Sequence, residues 1–242
     1  MTDPSLAVDA YAGHDLEILS GMTHYYSWIV DHFTPYARGA TVEYGAGTGN
    51  ISARLRPLVA RLDLVEPSPR LLPAVRERFE GDAAVAVHES SLEAHVAAAP
   101  ARAYDCAVLV NVLEHIADDS AALHELFRVL KPGGSLLLFV PALPFLFSRL
   151  DSVYGHFRRY RRDALARLVA DAGFHVREAR YLDLLGVLPW WLLNTLGGFV
   201  TFNPTLVRMY DNVGVPLTRA IERLLGAPPF GKNVLVIAQK PS

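Results

Sequence analysis

The chain has 242 residues, 51% apolar and 20% charged, which is enough to fill a core and too apolar for an intrinsically disordered segment. Its 23 Lys and Arg against 25 Asp and Glu leave a net charge of −2, without the basic surplus of a phosphate-tracking protein, so nucleic acid is not an expected partner. The single cysteine, Cys106, excludes an intramolecular disulfide framework and a Cys-rich metal site.

Residues 1–13 are acidic and lack a basic stretch followed by an apolar run, so no secretory signal is expected and the cytoplasm is the expected compartment. Residues 1–38 predict an N-terminal helical segment with Tyr25, Tyr26, Trp28, Ile29 and Phe33 on an aromatic face. From residue 40, β-rich runs at 41–44, 62–65, 85–87, 104–110 and 135–140 alternate with helical stretches at 51–60, 71–79, 92–98 and 119–130. Near-continuous apolar strands alternating with helices predict an α/β fold with a parallel sheet covered on both faces. Asp118 and Asp119 offer caps to the helix carrying Leu123, Leu126, Phe127 and Leu130, and Lys131-Pro-Gly-Gly134 stops it. Leu165, Leu168, Val169 and Ala172 mark a further helix ending at Gly173, and 174–181 and 233–239 supply two more strands. With no internal repeat and no low-complexity linker, one domain over 1–242 is expected, with a core at 39–182, an insertion at 183–231 and a last strand and tail at 232–242.

The first strand runs into Val42-Glu-Tyr-Gly-Ala-Gly-Thr-Gly-Asn50. Glycines between a strand and a helix let the backbone turn tightly and approach a ligand closely. The spacing is Gly45-x-Gly47-x-Gly49, with Asn50 where a dinucleotide fingerprint needs its third glycine, which disfavours a nicotinamide enzyme. Glu43 lies two positions before the first glycine, and Glu66 ends the second strand, where a carboxylate can accept both hydroxyls of a ribose. Glu66-Pro67, Asn111-Val-Leu-Glu-His-Ile116 after the fourth strand and Leu130-Lys-Pro-Gly-Gly134 before the fifth complete the set.

With these motifs the sequence resembles the class I S-adenosylmethionine-dependent methyltransferases over most of residues 40–182, looking most like the small-molecule, quinone-biosynthesis-type branch. The resemblance implies a Rossmann-like sandwich whose seven-stranded mixed sheet ends on an antiparallel strand, and S-adenosyl-L-methionine as cofactor. It implies a donor-facing set of Glu43, Tyr44, Gly45, Ala46, Gly47, Gly49, Asn50, Glu66, Pro67, Ser91, Leu92, Asn111 and Val112. Gly45, Ala46 and Gly47 would face the methionine part, Glu66 the ribose, Ser91 and Leu92 the adenine, and Asn111 with Val112 the amino-acid or sulfonium end. Where many relatives place an aspartate after the third strand to hold the adenine amino group, this chain has Glu89-Ser90-Ser91-Leu92.

Methyl transfer is an in-line displacement at a sulfonium carbon, so alignment is the protein's main task, and an acceptor hydroxyl also needs a base. His115 and His156 are the candidate bases, on connections that leave the same edge of the sheet; the competing reading is a shape or helix-cap role for His115 and a structural hydrogen bond for His156. Tyr25, Tyr26, Tyr154, Arg158, Arg159, Tyr160 and Trp190 are the candidate acceptor-side residues. The run Arg158, Arg159, Arg161 and Arg162 reads either as a solvated helix start partly compensated by Asp163, or as a clamp for a carboxylate or phosphate. No His/Asp/Glu set has dedicated metal-ligand spacing along the chain, so no divalent ion is expected. The turn after the fourth strand lacks the Asn/Asp-Pro-Pro-aromatic motif of base-amino methylases, which leaves a small-molecule acceptor.

Residues 184–207 contain no charged residue, yet Pro189, Asn194, Thr195, Gly197, Gly198, Asn203 and Pro204 interrupt them, so a lid over the ligand pocket is expected rather than a membrane span. Trp190 and Trp191 cannot both face the core, so one lines an acceptor site or touches a membrane interface. In 216–225, Leu217, Ile221, Leu224 and Leu225 oppose Arg219, Glu222 and Arg223, and this apolar face is expected to pack on the domain. The insertion favours a bulky or lipid-like acceptor, with O-methylation first and N-methylation next; a homodimer surface or peripheral membrane contact would account for its apolarity too. The alternative from another class is a non-catalytic binding or scaffold protein of the same fold.

Overall fold

The computed structural model describes residues 18–242. Seven strands form one sheet in the order 3-2-1-4-5-7-6: β1 Ala40–Tyr44, β2 Arg61–Glu66, β3 Val85–Glu89, β4 Tyr104–Val110, β5 Leu130–Pro141, β6 His175–Leu182 and β7 Asn233–Gln239. Strands β1 to β5 pair in parallel, and β7 inserts antiparallel between β5 and β6, as the resemblance implied. The order reverses between β1 and β4, so the carboxyl ends of these two strands open the crevice where such sheets take ligands.

Each face of the sheet carries its own apolar layer, because side chains alternate along each strand. On one face, α4 (Leu92–Ala98), α5 (Asp119–Val129) and α7 (Arg162–Asp171) bury Leu92, Val96, Leu123, Leu126, Leu165 and Val169 against Val42, Leu109 and Leu138. On the other, α1 (Thr23–Phe33), α2 (Ser52–Leu55) and α3 (Leu72–Arg78) bury Trp28, Ile29, Phe33, Leu55 and Val75 against Leu62, Val108 and Phe139. The aromatic N-terminal helix is thus a core layer; the expected segment before residue 18 lies outside the described residues.

Local chemistry accounts for the boundaries. The helix expected over 51–60 shortens to α2 and a 3-10 turn, Arg56–Leu58, because Pro57 has no N–H to continue an α-helix. Asp118 caps α5 by accepting from the Ala121 N–H at 2.9 Å. The helix stops at Val129, and Lys131-Pro-Gly-Gly134 becomes a bulge within β5, since Tyr104 pairs with Leu130 and Cys106 already with Ser135. Gly173 takes φ +100° against the Phe127 ring, ending the turn that follows α7.

The insertion between β6 and β7 folds into short helices: α8 Val187–Trp190, which continues into a π-helical turn Trp191–Leu196, α9 Pro204–Met209, and α10 Val215–Leu225. No helix among the described residues is long and apolar enough to cross a membrane. One expectation is reversed here. Helix α10 buries Val215, Thr218 and Glu222 and leaves Leu217, Leu224 and Leu225 exposed, with Leu224 at 84%. The reason is polar: Glu222 accepts from the Asp183 N–H at 3.0 Å, and this fixes the inward face of the helix.

Candidate active site

The glycine turn lies at the carboxyl end of β1, with Gly45, Gly47 and Gly49 all at positive φ (+69°, +58° and +79°). A Cβ on Gly45 would stand 2.5 Å from Val112 Cγ2, and one on Gly49 would press on Arg78 and Phe79, so these two glycines are required by packing. A Cβ on Gly47 would meet nothing within 4 Å, so this glycine opens onto free space beside the turn. Glu66 closes the turn's other side: its carboxylate accepts from the Gly47 N–H at 2.7 Å and the Ser68 N–H at 2.8 Å, while burial raises its pKa. The Val112–Gly45 approach brings the connection after β4 onto the same cradle, where Asn111 takes φ +53°, a conformation asparagine tolerates better than most residues.

Glu43 is buried on the strand beneath the turn, and its Oε2 has no hydrogen-bond partner. Burial pushes its carboxyl up to about 8, with the Ser52 hydroxyl pulling the other way. Between the ordinary 4.5 and about 8, the folded chain therefore holds a proton that the unfolded chain has released. Stability falls as pH rises through this window and loses no more above it. Glu43→Gln is expected to take up to about 1.4 kcal/mol per pH unit out of that slope. Urea midpoints at pH 5, 6.5 and 8 measure it, and an unchanged slope would assign the titration to other groups.

Several residues from the donor-facing set serve the fold with their side chains. The Tyr44 ring is in the core and its hydroxyl lies 3.1 Å from His95 Nδ1, so only its backbone borders the turn. Asn50 ties the loop together, donating to Thr48 Oγ1 at 3.0 Å and accepting from Arg78 at 3.0 Å. Ser91 Oγ caps α4 by accepting from the Ala94 N–H, and Leu92 is buried in the core. Pro67 is exposed beside Glu66 and Ala46 is buried in the turn. Arg54 latches α1 to the cradle, donating to the Asn50 carbonyl at 2.7 Å and to Ser27 Oγ at 3.1 Å with its guanidinium 5.7 Å over the Tyr26 ring; burial pushes the Tyr26 hydroxyl up to about 12.

Two of the candidates, His156 and Arg159, meet on a carboxylate that sequence reading did not single out. Asp151, fully buried in the short helix α6 (Arg149–Val153), accepts from the Ser148 N–H and hydroxyl, both at 2.8 Å, in a capping box. It also accepts a guanidinium fork from Arg159, at 2.9 and 3.1 Å, and lies 2.9 Å from His156 Nδ1. Burial pushes the Asp151 carboxyl up, but these bonds together outweigh it and hold it below the usual carboxylate range. An ionised carboxylate only accepts, so the His156 ring carries its proton on Nδ1 and presents the Nε2 lone pair when neutral.

That Nε2 lies 4.0 Å from Glu114 Oε1, and the His156 ring meets His115 edge-on with centroids 4.6 Å apart. The Phe157 N–H donates to the Glu114 carbonyl at 2.8 Å, which locks the connection after β5 onto the one after β4. Burial raises the Glu114 carboxyl to about 8 and lowers His115 to about 3, the latter against a hydrogen bond with the Tyr154 backbone. The two histidines, remote in sequence, are thus brought side by side.

Three of the four arginines of the run have partners within the chain. Arg159 is matched by Asp151 and stacked at 4.5 Å on Trp190, Arg158 holds the Ala117 carbonyl and Asp119, and Arg162 pairs with Asp163. Tyr160 is buried, its hydroxyl within hydrogen-bond reach of Asp119 and the Leu113 carbonyl. Tyr25 is also internal, its hydroxyl donating to Asn233 at 3.0 Å, while Tyr154 stays half-buried with its ring 6.2 Å from His156. Trp190 turns inward and donates to the Leu146 carbonyl at 3.1 Å, whereas Trp191 is exposed. Behind Trp190, the Lys232 ammonium pairs with buried Asp183 at 2.9 Å and faces the rings of Tyr25, Trp190 and Tyr210, a cage that had no signal in local sequence. Asp151 had one: Ser148-x-x-Asp151 is capping-box spacing.

Residues 22–179 match the family model described as a methyltransferase domain. The chain is 30% identical over 151 residues, 60% of its length and 58% of the relative's, to the ubiquinone/menaquinone biosynthesis C-methyltransferase UbiE of Cronobacter sakazakii. It is 27% identical over 134 residues, 54% of its length and 51% of the relative's, to UbiE of Vibrio cholerae. The chain thus spans between half and two thirds of the length of these curated relatives.

Among solved structures, it superposes at a TM-score of 0.67 and 16% identity on a chain of the complex between the Haloferax volcanii Trm112 methyltransferase activator and a methyltransferase, covering 100% of both. It superposes equally well, at 15% identity, on 61% of a Haemonchus contortus phosphoethanolamine N-methyltransferase bound to S-adenosylhomocysteine, with all of this chain covered. These likenesses carry the fold. The family match over more than half the chain, on a sheet whose switch point holds an open glycine cradle between two buried carboxylates, places it among the class I S-adenosylmethionine-dependent methyltransferases.

Proposed function

We propose that the chain methylates a hydroxyl on a small, apolar, lipid-like metabolite. The observation that carries this reading is the Asp151–His156 pair, held beside the donor cradle beneath an apolar insertion seated through Trp190 and Thr195 on the Leu146 carbonyl. S-adenosylmethionine supplies an electrophilic methyl group on a sulfonium. Gly45, Ala46 and Gly47 border its methionine part, the Gly47 opening gives it room, and Glu66 offers its remaining lone pairs to the ribose. Glu43, buried and unmatched beneath the turn, favours a ligand that brings an ammonium. Asn111 and Val112 line the sulfonium end, and the Ser90–Ser91 backbone borders the adenine.

On the acceptor side, Asp151 fixes the ring of His156, and Nε2 manages the proton of the attacking hydroxyl. The insertion suits an apolar acceptor, since Leu196, Phe199, Met209 and Val213 are exposed around it. A second reading comes from the UbiE relatives, whose name specifies C-methylation. A ring carbon beside a phenol becomes nucleophilic when that phenol loses its proton, so the same His156 chemistry serves both, and the mass and NMR spectrum of the product separate them. With a phenolic acceptor, His156→Ala is expected to lower turnover by about a hundredfold or more while donor affinity by calorimetry stays within about threefold. Unchanged turnover would remove His156 from the acceptor site.

A further inference from the structure

We propose that Glu114, His115 and His156 form a site for one first-row divalent metal ion, bound on the acceptor side of the donor cradle. One ligand atom from each of the three lies within 4.8 Å of the others. The His156 Nε2–Glu114 Oε1 separation is 4.0 Å, and a tetrahedral ion with bonds near 2.1 Å brings its ligands to about 3.4 Å, so this pair closes by about 0.6 Å and no pair of the set by more than about 1.4 Å. The Glu114 side chain is fully buried and neither carboxylate oxygen has a hydrogen-bond partner, an arrangement that an incoming cation would satisfy.

The surroundings of the three residues also suit a metal. Ligating histidines commonly give their second nitrogen to a carboxylate or a backbone carbonyl. Here His156 Nδ1 is held by Asp151 at 2.9 Å, and His115 hydrogen-bonds the Tyr154 backbone. The loops are already joined by the Phe157 N–H to Glu114 carbonyl bond, so little ordering remains to be done on binding. Two imidazoles and one carboxylate favour a zinc-, manganese- or iron(II)-like ion over an all-oxygen cage for calcium.

Charge then selects the acceptor. Once the ion has displaced the Glu114 proton to solvent, Glu114 and Asp151 carry two negative charges against one positive on Arg159, so a divalent ion leaves a single positive charge. An ionised acceptor oxygen neutralises it. This role, though not the binding itself, rests on the hydroxyl-methylation reading above, with the ion taking over from a free His156 Nε2 the task of drawing the proton off the acceptor and His156 acting as its ligand. The acceptor O–H bond breaks with its proton passing to water, and the metal holds the oxygen as its anion. That oxygen forms a bond to the methyl carbon as the S–C bond breaks, and the sulfur leaves with the electron pair as S-adenosylhomocysteine.

The test is a visible-absorption titration of the metal-free full chain with Co²⁺, repeated by calorimetry with Zn²⁺. The expected result is saturation at one ion per chain at micromolar or lower concentration, weakened at least tenfold in both Glu114→Gln and His156→Gln. Calorimetric binding of S-adenosylmethionine, unchanged in both variants, shows that they are folded; if a variant fails that check, the wild-type titration decides. No saturable binding by the wild type, or equal binding by both folded variants, overturns the site. Phenol methylation that proceeds unchanged in metal-free protein overturns the ion's role. Metal binding without transfer to any hydroxyl supports the site and overturns the hydroxyl reading instead.

Discussion

Gly47→Arg is expected to abolish S-adenosylmethionine binding while leaving the chain folded. The position has φ +58°, so any side chain costs about 1–2 kcal/mol of backbone strain, which a chain of this size can absorb. A Cβ there meets no protein atom within 4 Å, so the arginine extends into the opening rather than into the core. It also places a positive charge in the opening that the proposed function gives to the cationic donor. A loss of about 3 kcal/mol or more, at least a hundredfold in Kd, is the expected calorimetric outcome. Gly45→Ala is the contrasting change, because its methyl would stand 2.5 Å from Val112 and displace the connection after β4. A folded Gly47→Arg protein with unaltered donor affinity would move the donor away from this turn.

The second large effect is on stability. Asp151→Ala is expected to cost about 3–5 kcal/mol, because it leaves the Arg159 guanidinium buried without its counter-charge and deprives Ser148 and His156 of their acceptor. For a chain of this length that is a fall in Tm of about 10 °C, measurable by differential scanning calorimetry. Removing both charges with Asp151→Leu and Arg159→Met is expected to cost less than the single change, since no uncompensated ion remains. A double variant less stable than Asp151→Ala would show that the pair itself, rather than the orphaned arginine, carries the stability.

The strands and the glycine turn were legible because their causes are local. Apolar runs of strand length, a strand followed by spaced glycines, and an aspartate before an apolar-periodic stretch each act within a few residues, and β1, Gly45-x-Gly47-x-Gly49 and the Asp118 cap all stand where those signals place them. The one shortened helix, α2, was written in Pro57. The antiparallel strand β7 came with the resemblance rather than from pattern, since strand order is not encoded by alternation.

Side-chain assignments fared differently, for one physical reason. A polar residue's role depends on which partner reaches it first, and partners come from distant segments. Arg158 and Arg159 look free in sequence, yet Asp119 and Asp151 take them once β4 and β5 set their connections side by side. The leucines of α10 look like a core stripe, yet Glu222 turns them outward because the Asp183 N–H needs an acceptor. Spacing alone excluded a metal site, since His156 lies far along the chain from Glu114 and His115; the parallel pairing of β4 and β5 brings the three together. By itself the sequence determined the α/β sheet and the glycine turn, because backbone conformation and apolar periodicity are properties of short segments, and its motifs carried the resemblance that gives the class of enzyme. Which charges are matched, which histidines meet and which apolar face looks outward were decided only by tertiary structure, because an unmatched buried polar group is costly and its partner can lie anywhere in the chain.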